Sequence, residues 1–430
     1  MSTWRKIFLC ADLALIASIV GTTAPAAAQT PRRFAGYYIE WGVYARDFQP
    51  SDIPADSLTH INYAFLVPSD PDGDGYYDCA ISDTWAALQK TMTRPVPGTT
   101  GTNNLGTLAQ LRQLRTYQQS RGKSLRLIFA VGGASSSSAS AFSAIAADAA
   151  HRQHFVTSCI QLLQQQGFDG LDVDWEYPAT AADITNATAL MSAFRGSLNA
   201  AGNDPYTGAP YLLTMDVPAG WYSSQFDPAG IAPSVNWVNV MTYDFAGCWG
   251  MTNTGHNSPL KGSIDDPDGS SNDGQDAVLD WISRGMPAAK INFGLPYYGK
   301  AFQALLNLGP NPAYPGRYAS IDPGPNGDVS CPQGTWAADG SLDYWDLVQR
   351  YVNVNGYSRI WDAEQRVPFL YKNQASYWLS YDDPTSIGEK VDWAKTQGLG
   401  GVFVWELSME RAKGTNVHPL TDAAAAHLNP

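Results

Sequence analysis

Four carboxylates fall within FDGLDVDWEYP, residues 168–178: Asp169, Asp172, Asp174 and Glu176. The stretch otherwise reads as a buried strand. Successive strand side chains point to opposite faces, so Asp172, Asp174 and Glu176 share one face while Leu171, Val173 and Trp175 share the other. With the apolar face against helices, the three acids point into a core. They cannot all ionise there: some must be protonated or hydrogen-bonded, and the last of the file should have its pKa raised. A glutamate kept protonated at the C-terminal end of a strand is suited to general-acid chemistry on a sugar or ester oxygen. Asp169 points the other way and is read as structural. A solvated acidic edge would not carry the Leu/Val/Trp alternation, and a metal site would be helped by histidine. His60, His151, His154, His256, His418 and His427 form no ligand cluster beside the motif.

The elements that must hold this strand recur along the chain. Short runs rich in β-branched and aromatic residues stand at 34–40, 58–65, 125–131, 168–175, 211–217, 235–243, 290–298 and 401–407. Helical patterns at 105–121, 148–166, 181–201, 273–284 and 385–397 alternate with them. Eight strands separated in this way predict a (β/α)8 barrel of the α/β class, in which the C-terminal strand ends carry the chemistry. A doubly wound open sheet usually begins with a Gly-rich first turn, which GYYIEWG at the first strand is not. The Pro-, Gly- and aromatic-rich gap at 302–372 is too long for a barrel connection and predicts a small α+β insertion between strands seven and eight. The polar segment 66–104 is expected as an elaborated loop on the same rim.

Arg5 and Lys6 precede an apolar run over 7–20, and Ala26-Ala27-Ala28 follows it, the pattern of a cleaved export signal over 1–28, so a secreted chain of 29–430 is expected. The run is too short and broken to span a membrane. Cleavage removes two cations and one anion and takes the net charge from −13 to −14, which argues against a nucleic-acid partner. Cys79, Cys159, Cys248 and Cys331 then remain in a compartment that permits disulfides, with three possible connectivities. Cys159 lies in an amphipathic segment and is expected as a buried thiol, with Cys248–Cys331 the preferred pair. Asp70, Asp72, Asp74 and Gly75 imitate the start of a calcium loop, but its twelfth position would be Ile81, so an acidic turn is expected.

DGLDVDWE resembles the DxxDxDxE signature of glycoside hydrolase family 18, the chitinase family. GYYIEW at 36–41, INYAF at 61–65, MTYD at 241–244, AGCWGMTNTGHNSPL at 246–260, PYYGKAF at 296–302, WLSYDD at 378–383 and GLGGVFVWEL at 398–407 resemble further stations of that family in the same order. The resemblance implies a retaining chitinase that needs no cofactor and acts as a monomer on chitin or chito-oligosaccharides. Glu176 would protonate the glycosidic oxygen, while the substrate's own N-acetyl carbonyl attacks, so no second nucleophilic carboxylate is required. Asp174 would orient the acetamido group and share a proton with Asp172; Tyr243 would bond the acetamido oxygen, and Asp244 would sit beside the distorted sugar. Trp405 would floor the reacting subsite, Phe65, Met241 and Tyr298 would line it, and Trp249 would extend the leaving side. Lys300 stands where an arginine is common.

Three further departures from the family pattern matter. Ala130 replaces a serine that would bond the innermost aspartate, which shifts that task toward Tyr37. Ala134 replaces a tryptophan platform. Asp216 stands at a site usually small and apolar, where it could move the pH profile. A chitin-binding lectin on the same fold and an endo-β-N-acetylglucosaminidase acting on N-glycans are the rival readings; lectins of this type lack the acid, and Glu176 is present.

Overall fold

The computed structural model describes residues 32–99, 105–249, 251–269, 271–323, 331–372 and 377–429, so the expected export signal over 1–28 lies outside the described residues. In chain order the strands are β1 (Arg33–Ile39), β2 (His60–Ser69), β3 (Asp78–Ile81), β4 (Arg126–Gly132), β5 (Gly170–Asp174), β6 (Leu212–Pro218), β7 (Trp237–Met241) and β8 (Ile291–Pro296). There follow β9 (Tyr298–Phe302), β10 (Ser341–Asp343), β11 (Ser358–Asp362), β12 (Val367–Tyr371), β13 (Trp378–Ser380) and β14 (Gly401–Trp405).

β1, β2, β4, β5, β6, β7, β8 and β14 pair in parallel, and the β1–β2 and β1–β14 ladders close them into a barrel. This is the expected (β/α)8 architecture. Residues of alternate parity along each strand divide between two cores. Leu171, Val173 and Trp175 are buried in the layer between barrel and helices, while Ala35, Tyr37, Ala130 and Phe403 pack within the ring.

Local chemistry sets the bounds of the helices around β5. Helix Ala149–Gln166 starts where the Asp148 carboxylate accepts from the backbone N–H of Ala150 and His151, and it stops at Gly167, which takes the left-handed conformation (φ 64°) that glycine adopts without a Cβ penalty. Helix Ala181–Ala201 starts at a reciprocal capping box between Thr180 and Asp183. Helix Ser136–Ala147 has no counterpart in the sequence reading, because a serine run favours caps and turns over helix interiors. Burial decides there instead: Phe142 stacks on Trp175 with ring centroids 5.6 Å apart.

β9 to β13 form a separate antiparallel sheet in the order β10-β9-β13-β12-β11. Its first strand leaves the barrel one residue after β8 ends, and helix Tyr344–Arg350 packs against it. The segment 66–104 is more ordered than a loop: β2 runs on to Ser69, β3 returns antiparallel to it, and helix Thr84–Leu88 follows. Asp70 accepts from the backbone N–H of Gly73 and Gly75, and Asp74 from that of Tyr76, which is the geometry of an acidic turn.

That hairpin corrects one expectation. Cys159 is not a free thiol but is bonded to Cys79, because β3 folds back over helix Ala149–Gln166 and brings the two Cα atoms to 4.9 Å. Cys248 pairs with Cys331 at a Cα separation of 5.4 Å, tying the loop after β7 to the segment that leads into β10. The Cys79–Cys159 bond closes a loop of 80 residues. Replacing both cysteines by alanine is expected to lower unfolding free energy by about 2–4 kcal/mol. Urea denaturation of the double variant checks this, and an unchanged midpoint would contradict it.

Candidate active site

β5 lies between β4 and β6, with Asp172 level with Ala130 on one side and Thr214 on the other, and Asp174 level with Gly132. Gly132 has φ +124°, and a Cβ there would fall 2.0 Å from the Asp174 carbonyl oxygen. Only glycine lets the end of β4 pass so close to the end of β5. Gly133 N–H then donates to that same carbonyl at 3.0 Å. Trp175, fully buried beneath Phe142, holds the outward face, so Asp172 and Asp174 point into the ring.

Asp172 is fully buried and takes three donors: the Thr214 hydroxyl at 2.5 Å, the Tyr37 hydroxyl at 2.5 Å and Asn62 Nδ2 at 3.2 Å. Burial raises its pKa while these donors hold it down. Asp174, one step nearer the surface, is also buried, and its Oδ1 has no hydrogen-bond partner among the described residues. Burial, then the charges of Glu176 and Asp172, push its carboxyl well above the usual carboxylate range. Glu176 is half-buried at the mouth. Its pKa is raised by burial and by the nearby Asp244 charge, against a hydrogen bond from the Tyr177 hydroxyl. The carboxyl at the open end of the column is thus shifted toward its protonated form.

Above the column lies a cavity of about 520 Å³, whose walls include Trp41, Phe65, Glu176, Met241, Tyr243 and Trp405. A second hollow of about 380 Å³ shares Tyr222, Tyr243, Asp244 and Trp249 with it and continues to Trp221. A third of about 240 Å³ shares Asp244 and Trp405 and runs beside Tyr298, Lys300 and Trp336 toward the second sheet. The three form one groove through the acid. Its rings offer flat faces: Phe65 stacks on Trp405 at 5.7 Å and on Trp41 at 6.3 Å, and Tyr177 on Tyr222 at 4.9 Å. Asp244 sits at φ +59°, held by its N–H to Asn257 Oδ1 at 3.1 Å, and its carboxylate pairs with Lys300 Nζ at 3.1 Å. The same ammonium lies 4.5 Å from the Trp249 ring centre and donates to Ser341 Oγ at 3.0 Å.

Residues 33–410 match the family model for glycosyl hydrolases family 18. The chain belongs to that family. It is 33% identical to Chitinase A1 of Niallia circulans over 95% of this chain and 61% of that protein, so it spans less than two thirds of this relative's length. It is 31% identical to Endochitinase 1 of Metarhizium robertsii over 88% of this chain and 81% of that protein. Among solved structures, chitinase ChiA74 from Bacillus thuringiensis superposes with a TM-score of 0.79 at 30% identity, over 93% of this chain and 70% of that one.

The family 18 hydrolase brings the sequence-derived residues together in two tiers. Glu176, Asp174, Tyr243, Asp244, Phe65, Met241, Trp249 and Trp405 line the central cavity, and Tyr298 and Lys300 its side arm. Asp172 and Tyr37 lie below, inside the barrel. Where Ala130 lacks a hydroxyl, Tyr37 is not alone: Thr214 and Asn62 donate to Asp172 as well. Those two, with Asn239, went unnoticed in the sequence, although each is a polar residue at the inward parity of an apolar strand. Trp41, Tyr177, Trp221 and Tyr222 were also missed; they lie in short 3-10 turns (Glu40–Val43 and Gly220–Gln225) and in the connection after β5, where no periodicity marks a ligand-facing ring.

The Asp244 charge adds to the raised pKa of Glu176, so removing it should let Glu176 ionise at lower pH. Asp244→Asn is expected to shift the alkaline limb of the kcat–pH profile toward acid on an aryl glycoside substrate. A limb that stays in place or moves upward would contradict the coupling.

Proposed function

We propose that this hydrolase is a secreted, retaining chitinase that cuts β-1,4-linked N-acetylglucosamine polymers by substrate-assisted catalysis. The observation that carries the reading is the stack of Glu176 over Asp174, in which a carboxyl whose pKa is raised faces the groove and a buried carboxyl oxygen beneath it lacks a partner among the described residues. A buried acceptor of that kind costs free energy until a donor arrives. The N–H of a 2-acetamido group on the reacting sugar is such a donor. Chitinase relatives over most of the chain, and a groove whose aromatic faces suit pyranose rings, support a chitin polymer as the substrate.

In this account Glu176 gives its proton to the glycosidic oxygen as the C1–O bond breaks. The acetamido carbonyl oxygen attacks C1 and closes an oxazolinium ring; Asp174 accepts the N–H hydrogen bond and faces the positive charge. The Tyr243 hydroxyl bonds the acetamido oxygen and steers the attack, and Asp244, fixed by Lys300, binds beside the distorted sugar. Glu176, now a carboxylate, takes a proton from water as it opens the ring, which restores the acid and retains the configuration. Because the nucleophile is part of the bound sugar, much of the barrier reduction comes from holding it in position. Trp405 and Phe65 would floor the subsite, Met241 and Tyr298 would line it, and Trp249 would carry the leaving side.

The segment 302–372 would act as an insertion that walls the groove of a catalytic domain spanning 29–430. Two disulfides fit an oxidising compartment, and residues 1–28 would be the cleaved export signal. No helix of the described residues is long and apolar enough to cross a membrane. The protein would work as a monomer, with no cofactor.

Glu176→Gln is expected to lower kcat on chito-oligosaccharides by about 10³-fold while binding persists, and early-time NMR of wild-type product should show the β anomer. Full activity in the variant would refute the assignment of the acid. Wild-type protein that binds without cleaving would return the lectin reading.

A further inference from the structure

Tyr37 sits between two carboxylates. Its hydroxyl oxygen is 2.5 Å from Asp172 Oδ2 and 2.6 Å from both oxygens of Asp216, and all three residues are buried. Distances this short each call for a proton between the oxygens.

The number of protons available can be counted from the neighbours. Arg33 Nε donates to Asn292 Oδ1 at 3.0 Å; Asn292 Nδ2 donates to Asn239 Oδ1 at 3.0 Å, which also accepts from Trp237 Nε1 at 3.2 Å. A guanidinium can only donate, so the direction of this chain is fixed from its origin. Asn239 Nδ2 must therefore face Tyr37 as a donor, at 3.1 Å from the hydroxyl oxygen. Tyr37 thus accepts from Asn239 and has a single proton of its own for two carboxylates. Asp172 already takes donors from Thr214 and Asn62, the environment of a carboxylate anion. Asp216 has fewer donors, Tyr37 and Asn239, and its carboxyl also meets that of Asp172 directly, a contact that needs a proton between the two acids; Asp216, the less well supplied of them, is the one to carry it. With both acids ionised, two anions would face each other in a water-poor core.

We propose that Asp216 is a positioning residue held as a neutral carboxylic acid, whose proton, shared through Tyr37, fixes Asp172 as the anion at the base of the catalytic column. The titratable groups that face Asp216 are Tyr37 from β1, Asp172 and Asp174 from β5, and Tyr243 beyond the end of β7. Burial, then the charges of Asp172 and Asp174, push its carboxyl well above the usual range against hydrogen bonds from Tyr37 and Asn239. A neutral Asp216 adds no repulsion beneath Asp174, so Asp174 can become the anion that the reaction needs without a third charge in the ring. This role rests on the substrate-assisted reading of Asp174 and Glu176, but the protonation of Asp216 can be read without turnover.

Infrared spectra of wild-type protein and Asp216→Asn at neutral pH test it. The difference spectrum should show loss of one carbonyl stretch of a protonated carboxylic acid. In parallel, Asp216→Ala should lower kcat by about tenfold or more, and Asp216→Asn, which keeps a neutral donor, should restore most of it. A difference spectrum that shows loss of an ionised carboxylate band would overturn the proposal. So would an Asn variant as impaired as the Ala variant, because the site would then need a charge rather than a donor. Failure of the Glu176→Gln test would leave the infrared result standing and would remove only the catalytic consequence.

Discussion

Burying carboxylates in a barrel core is the constraint on which the rest of this molecule depends. An ion moved from water into a protein interior costs several kcal/mol after relaxation, and Asp172, Asp174 and Asp216 are all within the ring. The barrel meets that cost with donors from four strands: Tyr37 on β1, Asn62 on β2, Thr214 on β6 and Asn239 on β7. The donors satisfy the lower acids and leave Asp174 without enough of them. The unmet demand is moved up the column, toward the groove, where a substrate group can answer it.

The remainder of the fold serves that column from outside. Gly132 and Gly133 let β4 close against the end of β5 without a side chain between them. Trp175 locks the opposite face of the strand under Phe142. Lys300, on the first strand of the second sheet, holds Asp244 from one side and reaches Trp249 and Ser341 from the other. A single ammonium thereby joins the sixth barrel strand's loop, the second sheet and the Trp249 wall of the groove. The Cys248–Cys331 bond ties the residue next to Trp249 to the segment that leads into β10 of that sheet.

Much of this was legible in the chain, because period-two alternation survives in a strand whatever surrounds it. The inward file of Asp172, Asp174 and Glu176 follows from spacing alone, and the family resemblance then supplied the roles of Tyr243, Asp244 and Trp405. What spacing could not supply was contact between distant strands. Thr214 and Asn62 are 42 and 110 residues from Asp172 in sequence and meet it only because β6 pairs beside β5 and β2 stands one strand beyond β4. Helix Ser136–Ala147 was hidden by poor helix formers whose burial outweighs propensity, and the Cys79–Cys159 bond by a hairpin that looked like polar loop.

The central claim is that the carboxylate column positions and protonates but never attacks, so that the nucleophile belongs to the substrate. It is tested most directly by a series of fluorogenic aryl chitobiosides whose reacting sugar carries an N-acetyl, N-fluoroacetyl, N-difluoroacetyl or N-trifluoroacetyl group. Each fluorine weakens the carbonyl oxygen as a nucleophile while leaving the glycosidic bond and the carboxylates of the protein unchanged. Substrate-assisted attack predicts that kcat/KM falls at every step of the series; a rate indifferent to fluorination would mean that a protein carboxylate forms the bond, and would contradict the account.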